Sequence, residues 1–252
     1  TENADNPLRV ATRRHGSRLR RVGLHYWWGG VMADKPIIFS APMVRALIEG
    51  RKTQTRRVLK PQPISTPEFY LPMSDEDAFW ATFDEDERCT RLRLRYAPGD
   101  RLWVREAFIG PYAYEVNEYP PRDWGNKPIW FPADGPVPDK FAGQFWHRAR
   151  PSIHMPRWAS RLTLTVTDVR VQRLQDISAA DSIAEGVQCG TCEFMNTSAC
   201  NGRGCFASIA AFQALWNSLH GPGAWEANPW VAAYSFTVHR GNIDAIKETS
   251  ND

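Results

Sequence analysis

The segment 160–174, SRLTLTVTDVRVQRL, alternates Leu162, Leu164 and Val166 with Thr163, Thr165 and Thr167. Branched apolar residues alternating with threonine at period two mark a strand with one buried face and one polar face. A second long run, NPWVAAYSFTVHR, puts Trp230, Ala232, Tyr234, Phe236 and Val238 on one face. Shorter strands are expected in KPIIFS, in KTQTRRVL and in KPIWFPADG. Another is expected in RLWVREAF, behind the turn Pro98-Gly99-Asp100, with Leu102 and Val104 opposite Trp103 and Arg105. AFWATF and TRLRLRY flank the acidic turn DEDER and read as a hairpin.

Helices are few. SAPMVRALIEG has Ser40 as cap, Pro42 in its first turn, Met43, Val44, Leu47 and Ile48 as an apolar stripe, and Gly50 as stop. DISAADSIAEGV is a short helix in which Ser178 and Asp181 resemble a capping box. Residues 206–219 carry Ile209, Phe212, Leu215, Trp216 and Leu219 at helical spacing. Many strands with few helices between them predict an α+β chain, a small mixed β-barrel with peripheral helices.

The 252 residues allow one large domain with insertions. The 11 Trp and 19 Pro point to long aromatic-pinned loops rather than a repeat. Residues 1–31 hold Arg9, Arg13, Arg14, Arg18, Arg20 and Arg21 against only Glu2 and Asp5, so the net charge of +3 says little about the rest. This stretch reads as a disordered or upstream basic extension, or as a basic arm for nucleic acid. It lacks the apolar run of a signal peptide, and no stretch of about 18 apolar residues suggests a membrane span. A cytoplasmic protein is expected. The globular domain is expected over 32–243, with insertions at 60–97, 107–150 and 188–205 and a flexible tail at 244–252.

Three groups of residues could carry chemistry. The first is EGRKTQTRR at 49–57, with Arg51, Lys52, Arg56 and Arg57 around Thr53 and Thr55. It reads as a solvated basic loop, a phosphate grip, or a site built on a lysine. Threonine is a weak nucleophile until a base takes its proton. Lys52 can serve as that base if burial and the neighbouring arginines lower its pKa. Lys52 and Thr55 are three apart and would face opposite sides of a regular strand, so they converge only if the chain turns between them.

The second group is RARPSIHMPRWASR. Arg148, Arg150, His154, Arg157, Trp158 and Arg161 either line a nucleotide cleft, or Trp158 packs in the core while the arginines bind carbonyls and carboxylates.

The third is Cys189, Cys192, Cys200 and Cys205, spaced C-x2-C-x7-C-x4-C with Gly190, Gly202 and Gly204 among them. Four thiolates so close fit a tetrahedral structural zinc with no open position. Disulfides and free thiols are the alternatives, the former disfavoured in a reducing compartment. Cys89 stands apart.

A helix ending in EGRKTQTRR, then PGDRLWVRE, then the Thr-rich strand leading into DISAADSIAEGV, resembles the ASCH domain, which is similar to the PUA domain of RNA-modifying proteins. RPSIHMPRWASR and FQALWNSLHGPGAWEANPWVAAYSF are similar to its larger phage and prophage form. The resemblance runs in order over residues 35–240. It implies a PUA-like barrel and one of three activities. These are removal of the acyl group from N4-acetylcytidine and related N4-acylated cytosines, binding of RNA or nucleotides without turnover, or RNA cleavage. The amidohydrolase members carry a lysine and a threonine in a G-x-K-T-x-T segment, matched here by Lys52 and Thr55. They carry a glutamate in the helix after the Thr-rich strand, matched by Glu185. The resemblance thus implies Thr55 as nucleophile, Lys52 as its base, and Glu185 as the orienting or proton-donating group. No catalytic cofactor is implied. Arg51, Arg56, Arg57, Arg157 and Trp158 are the expected substrate contacts. The expected partner is a modified cytosine nucleoside or nucleotide, or RNA, met by a monomer or weak dimer.

Overall fold

The computed structural model describes residues 33–70, 79–84, 89–110, 124, 128–141, 148–187 and 206–246. Along the chain run β1 (Asp34–Ile38), α1 (Ala41–Ile48), β2 (Gln54–Val58), β3 (Glu68–Tyr70), β4 (Phe79–Phe83), β5 (Cys89–Arg91), β6 (Arg101–Arg105), β7 (Leu162–Arg173), α2 (Ala179–Ala184), α3 (Phe206–His220) and β8 (Trp230–Arg240). The chain is α+β, with a mostly sheet core. The described parts of Ile64–Leu92 form a small compact unit, and those of Met32–Pro63 and Arg93–Asp252 form a larger one.

In the small unit, β3, β4 and β5 make an antiparallel sheet. The expected hairpin is β4–β5, with Ala81 and Thr82 buried beneath it. The Thr82 hydroxyl ties the strands to Ser65, accepting from its amide at 3.0 Å.

The larger unit is built on a five-stranded sheet in the order β1-β6-β7-β8-β2. β1 and β6 run parallel and the other neighbours antiparallel. The β7–β8 ladder is its spine. Its register shifts between Val166 and Asp168. An extra residue in one strand moves the inward set by one position. Accordingly Leu162, Leu164 and Val166 are buried before the shift, and Val169 and Val171 after it. β8 departs from one-sided alternation: Trp230 through Tyr234 are all buried. Being central, it has both faces covered, with Val231 packed against Phe212 and Trp216 of α3 and against Leu174 and Ile177.

A closed barrel was expected, yet β1 and β2 are the sheet's edges and no ladder joins them among the described residues. Side chains rather than backbone span the seam. Arg57 Nη2 donates to the Ile38 carbonyl at 2.8 Å, and a cavity lies between Ile37 and Ile38 on one edge and Arg57 and Val58 on the other.

KPIWFPADG is not a strand. Ile109 and Trp130 form an isolated bridge, and Pro132–Asp134 turns as a 3-10 helix. Pro132 lacks the N–H that would extend the ladder. The bridge leads into a second core of Phe108, Trp124, Phe131, Met155 and Ala159.

The helix ends matter most for the site. Ser40 sits at the N-cap of α1 but makes no side-chain cap bond. Pro42 has removed one of the amides such a cap would bind. Ser178 does cap α2, accepting from the Asp181 amide at 3.0 Å. Ser178→Ala should therefore cost about 1 kcal/mol, read as a lowered denaturation midpoint with unchanged slope. Among the described residues, no helix is long and apolar enough to cross a membrane.

Candidate active site

Two helix C-termini meet back to back. α1 and α2 each end in Glu-Gly, with Gly50 at φ +73° and Gly186 at φ +87°. A left-handed residue after a helix is the ordinary glycine stop. At Gly186 the requirement is double, because a Cβ there would come within 3.0 Å of the Cβ atoms of Ala46 and Lys52. This contact lets the chain after α1 lie against the end of α2. Lys52 and Glu185 form an isolated antiparallel bridge, and the Thr53 amide donates to the Ala184 carbonyl at 2.8 Å. Only from Gln54 does the chain turn away to pair with β8. That change of partner between Lys52 and Gln54 is the turn that brings Lys52 and Thr55 to one cavity.

Lys52 is 2% exposed and Glu185 4%. Lys52 Nζ donates to Glu185 Oε2 at 2.9 Å, to the Glu185 carbonyl at 2.8 Å and to the Gln54 carbonyl at 2.8 Å. These use the three protons of an ammonium. Burial pushes the Lys52 pKa down, Glu185 pulls it up, and Arg57 and Arg56 push it down again; the net shift is downward. Glu185 Oε1 accepts from Arg56 Nη1 at 3.0 Å. Arg56 Nη1 also donates to Gln54 Oε1 at 2.6 Å, and Nη2 donates to Asp181 at 3.1 Å. Burial alone would raise the Asp181 carboxyl, but its hydrogen bond to Arg170 and the charges of Arg170 and Arg56 hold it below the usual 3.8.

The pair opens on a cavity of about 210 Å³, walled by Lys52, Thr55, Arg56, Glu185 and, from α3, Phe212 and Trp216. That is roughly seven water volumes at ~30 Å³ each, below the ~300–1,000 Å³ typical of drug-sized ligands. A single substituted base matches it better than a polymer does. The Trp216 ring stacks on His220 with centroids 4.1 Å apart, and His220 stands at the cavity's edge.

The expected site residues separate into groups. Lys52, Thr55 and Glu185 line one cavity, although no hydrogen bond links Lys52 to Thr55. Arg56 lines it too, with its side chain fully buried. Its Nη atoms hold Glu185 and Asp181, and its Nε has no partner among the described residues. Arg57 lies at the cavity wall, beside the Phe39 ring. Arg51 turns away, bonding Glu49 and the Gly186 carbonyl. Arg157 and Trp158 are not at the cavity, although substrate contact was expected of them. Arg157 binds Asp244 and Asp34, which begins β1 at the end away from Ile38. Trp158 packs on the second core. Their positive charge and aromatic area go to carboxylates and packing. Arg161 likewise binds Glu106 at 2.8 Å and Asp134 at 2.6 Å.

Sequence reading did not single out Gln54, Asp181 as an Arg56 partner, or His220. Gln54 and Arg56 alternate on β2, which is the one available signal for a shared face.

Cys189, Cys192, Cys200 and Cys205 lie outside the described residues. Among the described residues, no group of three or more His, Cys, Asp or Glu could hold a metal ion. The ends flanking 188–205 are brought together: Ser182 Oγ of α2 donates to Ser208 Oγ of α3 at 2.8 Å.

No protein-family model, no curated protein and no solved structure matches this chain.

Proposed function

We propose that the chain is an amidohydrolase that removes the acyl group from N4-acylated cytosine or cytidine-type nucleosides. The open five-stranded sheet is then read as a PUA-like barrel of the ASCH type with its β1–β2 seam unzipped. One observation carries the reading: a fully buried Lys52–Glu185 pair forms the wall of a base-sized cavity that Thr55 also lines.

The chemistry follows from the low dielectric there. Lys52 passes a proton to Glu185 across their 2.9 Å contact, which gives a neutral amine beside a carboxylic acid. Burial favours that exchange. The amine takes the Thr55 hydroxyl proton as the oxygen attacks the acyl carbon. Glu185 protonates the departing N4 amine, and cytosine leaves. Lys52 passes its proton across again, the amine deprotonates a water, and that water cleaves the acyl-threonine. Glu185 then returns a proton to the Thr55 oxygen. A carboxylic acid is released and the ion pair is restored.

The test is ultraviolet turnover of N4-acetylcytidine. Conversion to cytidine by the wild type supports the reading, and a folded chain that converts none of several N4-acyl cytosines, as nucleosides or as 5′-nucleotides, refutes it. A second reading, binding without turnover, is favoured by the three hydrogen bonds that already occupy Lys52 Nζ. The same assay separates the two.

We also propose a structural zinc on the four cysteines. The joined ends of α2 and α3 suit a closed knuckle, and four thiolates suit zinc. One zinc per chain should be released by thiol titration with a chromogenic chelator, and the stripped chain should melt lower. A metal-free chain with an unchanged Tm would exclude it.

A further inference from the structure

A second cavity, of about 680 Å³, fills the seam between β1 and β2. It adjoins the smaller one, sharing Ile38, Arg57 and His220 with it. Its wall carries Arg57, Lys60, Arg93, Arg95 and His220 and not one carboxylate.

Elsewhere in the larger unit Arg51, Arg56, Arg101, Arg157, Arg161 and Arg170 pair with carboxylates, while Arg45, Arg105, Arg173 and Arg240 donate to backbone carbonyls. Among the described residues, Arg57, Lys60, Arg93 and Arg95 have no carboxylate partner. Arg57 instead donates to the Ile38 carbonyl, and the Arg95 guanidinium lies over the Tyr96 ring, 5.6 Å from its centroid. Clustered cations without counter-charges, walled by apolar side chains, focus a positive potential into the space between them.

Tyr234 adds a built donor. It is 1% exposed, and its hydroxyl accepts from the Arg95 amide at 3.3 Å. No described residue takes its proton, and burial raises its pKa, so the proton stays on the oxygen. Tyr96 differs, since its hydroxyl donates to the Pro36 carbonyl at 2.8 Å.

We propose that the seam cavity binds the phosphate of a nucleotide whose base occupies the smaller cavity, so that the substrate class is a phosphorylated cytidine rather than the free nucleoside. The assignment rests on the base-site reading given above. Arg93 and Arg95 hold the phosphate oxygens as charge-assisted donors, Tyr234 O–H donates to a third, and Arg57 stands between phosphate and base.

Calorimetric binding tests this without turnover, using cytidine, 5′-CMP, inorganic phosphate and a tetracytidylate RNA. CMP should bind at least ~10-fold tighter than cytidine at low salt, with the gap narrowing as salt rises. Arg93→Gln/Arg95→Gln should bring CMP down to the cytidine value, with unchanged circular dichroism and Tm. Tetracytidylate tighter than CMP would identify an RNA chain as the source of the phosphate, and tetracytidylate no tighter would identify a mononucleotide; both support the site. Equal affinity for CMP and cytidine, a preference that survives the double variant, or phosphate alone matching CMP would overturn it. A CMP preference in a chain that fails to convert N4-acetylcytidine, alone or as its 5′-phosphate, would sink the hydrolase and leave the phosphate site standing.

Discussion

Lys52→Met should lower kcat for N4-acetylcytidine by about 1,000-fold or more while the chain still folds. Loss of a positioned acid–base group alone removes ~10²–10⁴ of rate, and here the same residue is the base for the nucleophile. Methionine fills much of the lysine stem's volume, so the close packing of the Lys52 Cβ and Cγ against Gly186 is kept. The variant leaves Glu185 on Arg56, which already holds its other oxygen. Glu185→Gln should be comparably inactive, since an amide can neither accept the Lys52 proton nor protonate N4. Thr55→Ser, which keeps the hydroxyl, should retain turnover where Thr55→Ala loses it. Turnover surviving in Lys52→Met would remove lysine from the mechanism and point to the binding module.

The largest stability effect is expected at Glu185→Ala, a loss of about 3–5 kcal/mol. The substitution strands two cations at once. Lys52 Nζ loses one of three acceptors and its counter-charge, and Arg56, with no exposed side-chain area, keeps Asp181 as its one carboxylate beside the Gln54 amide oxygen. Adding Lys52→Met to Glu185→Ala should recover a large part of the loss, because removing both charges is far milder than removing one. Chemical denaturation of the four chains closes the cycle, and additive losses would mean that the pair does not interact as the distances imply.

The pH dependence has a definite sign. Lys52 in the folded chain is held below its ordinary 10.5. The unfolded chain therefore binds more protons in the window below 10.5, and folding grows more favourable there as pH rises. Measured against Lys52→Met, wild-type stability should improve as pH rises toward 10.5 from below.

Much of the scaffold was legible because local patterns were strong. The Leu/Thr alternation of β7 and the Gly50 stop of α1 each follow from single-residue physics. The same is true of the Ser178 cap. The bulge after Val166 was not legible as such, though the apolar phase changes there from even to odd positions. The open seam was invisible because strand order is a property of long-range pairing, and both β1 and β2 look like ordinary short strands. Arg157 misled for a related reason: a cationic, aromatic-rich segment looks the same whether its charges await a ligand or already bind Asp34 and Asp244. What separates the two cases is the position of carboxylates far away in sequence. By the same token, Arg93 and Arg95 drew no attention as part of a strand-like run, yet no described carboxylate meets them.

The pairing of β2 with β8 also has a kinetic consequence. Gln54 meets Ser235 across 181 positions, and Lys52 meets Glu185 across 133. The α1–β2 segment is made early, yet it has no sheet neighbour other than β8 among the described strands. Contacts of such separation form slowly, because loop-closure entropy precedes any return from them. During synthesis β2 therefore waits as an unpaired strand carrying Arg56 and Arg57, charges that discourage edge-to-edge association until β8 arrives. Refolding should show the β7–β8 ladder protected from amide exchange before the Lys52 cavity closes.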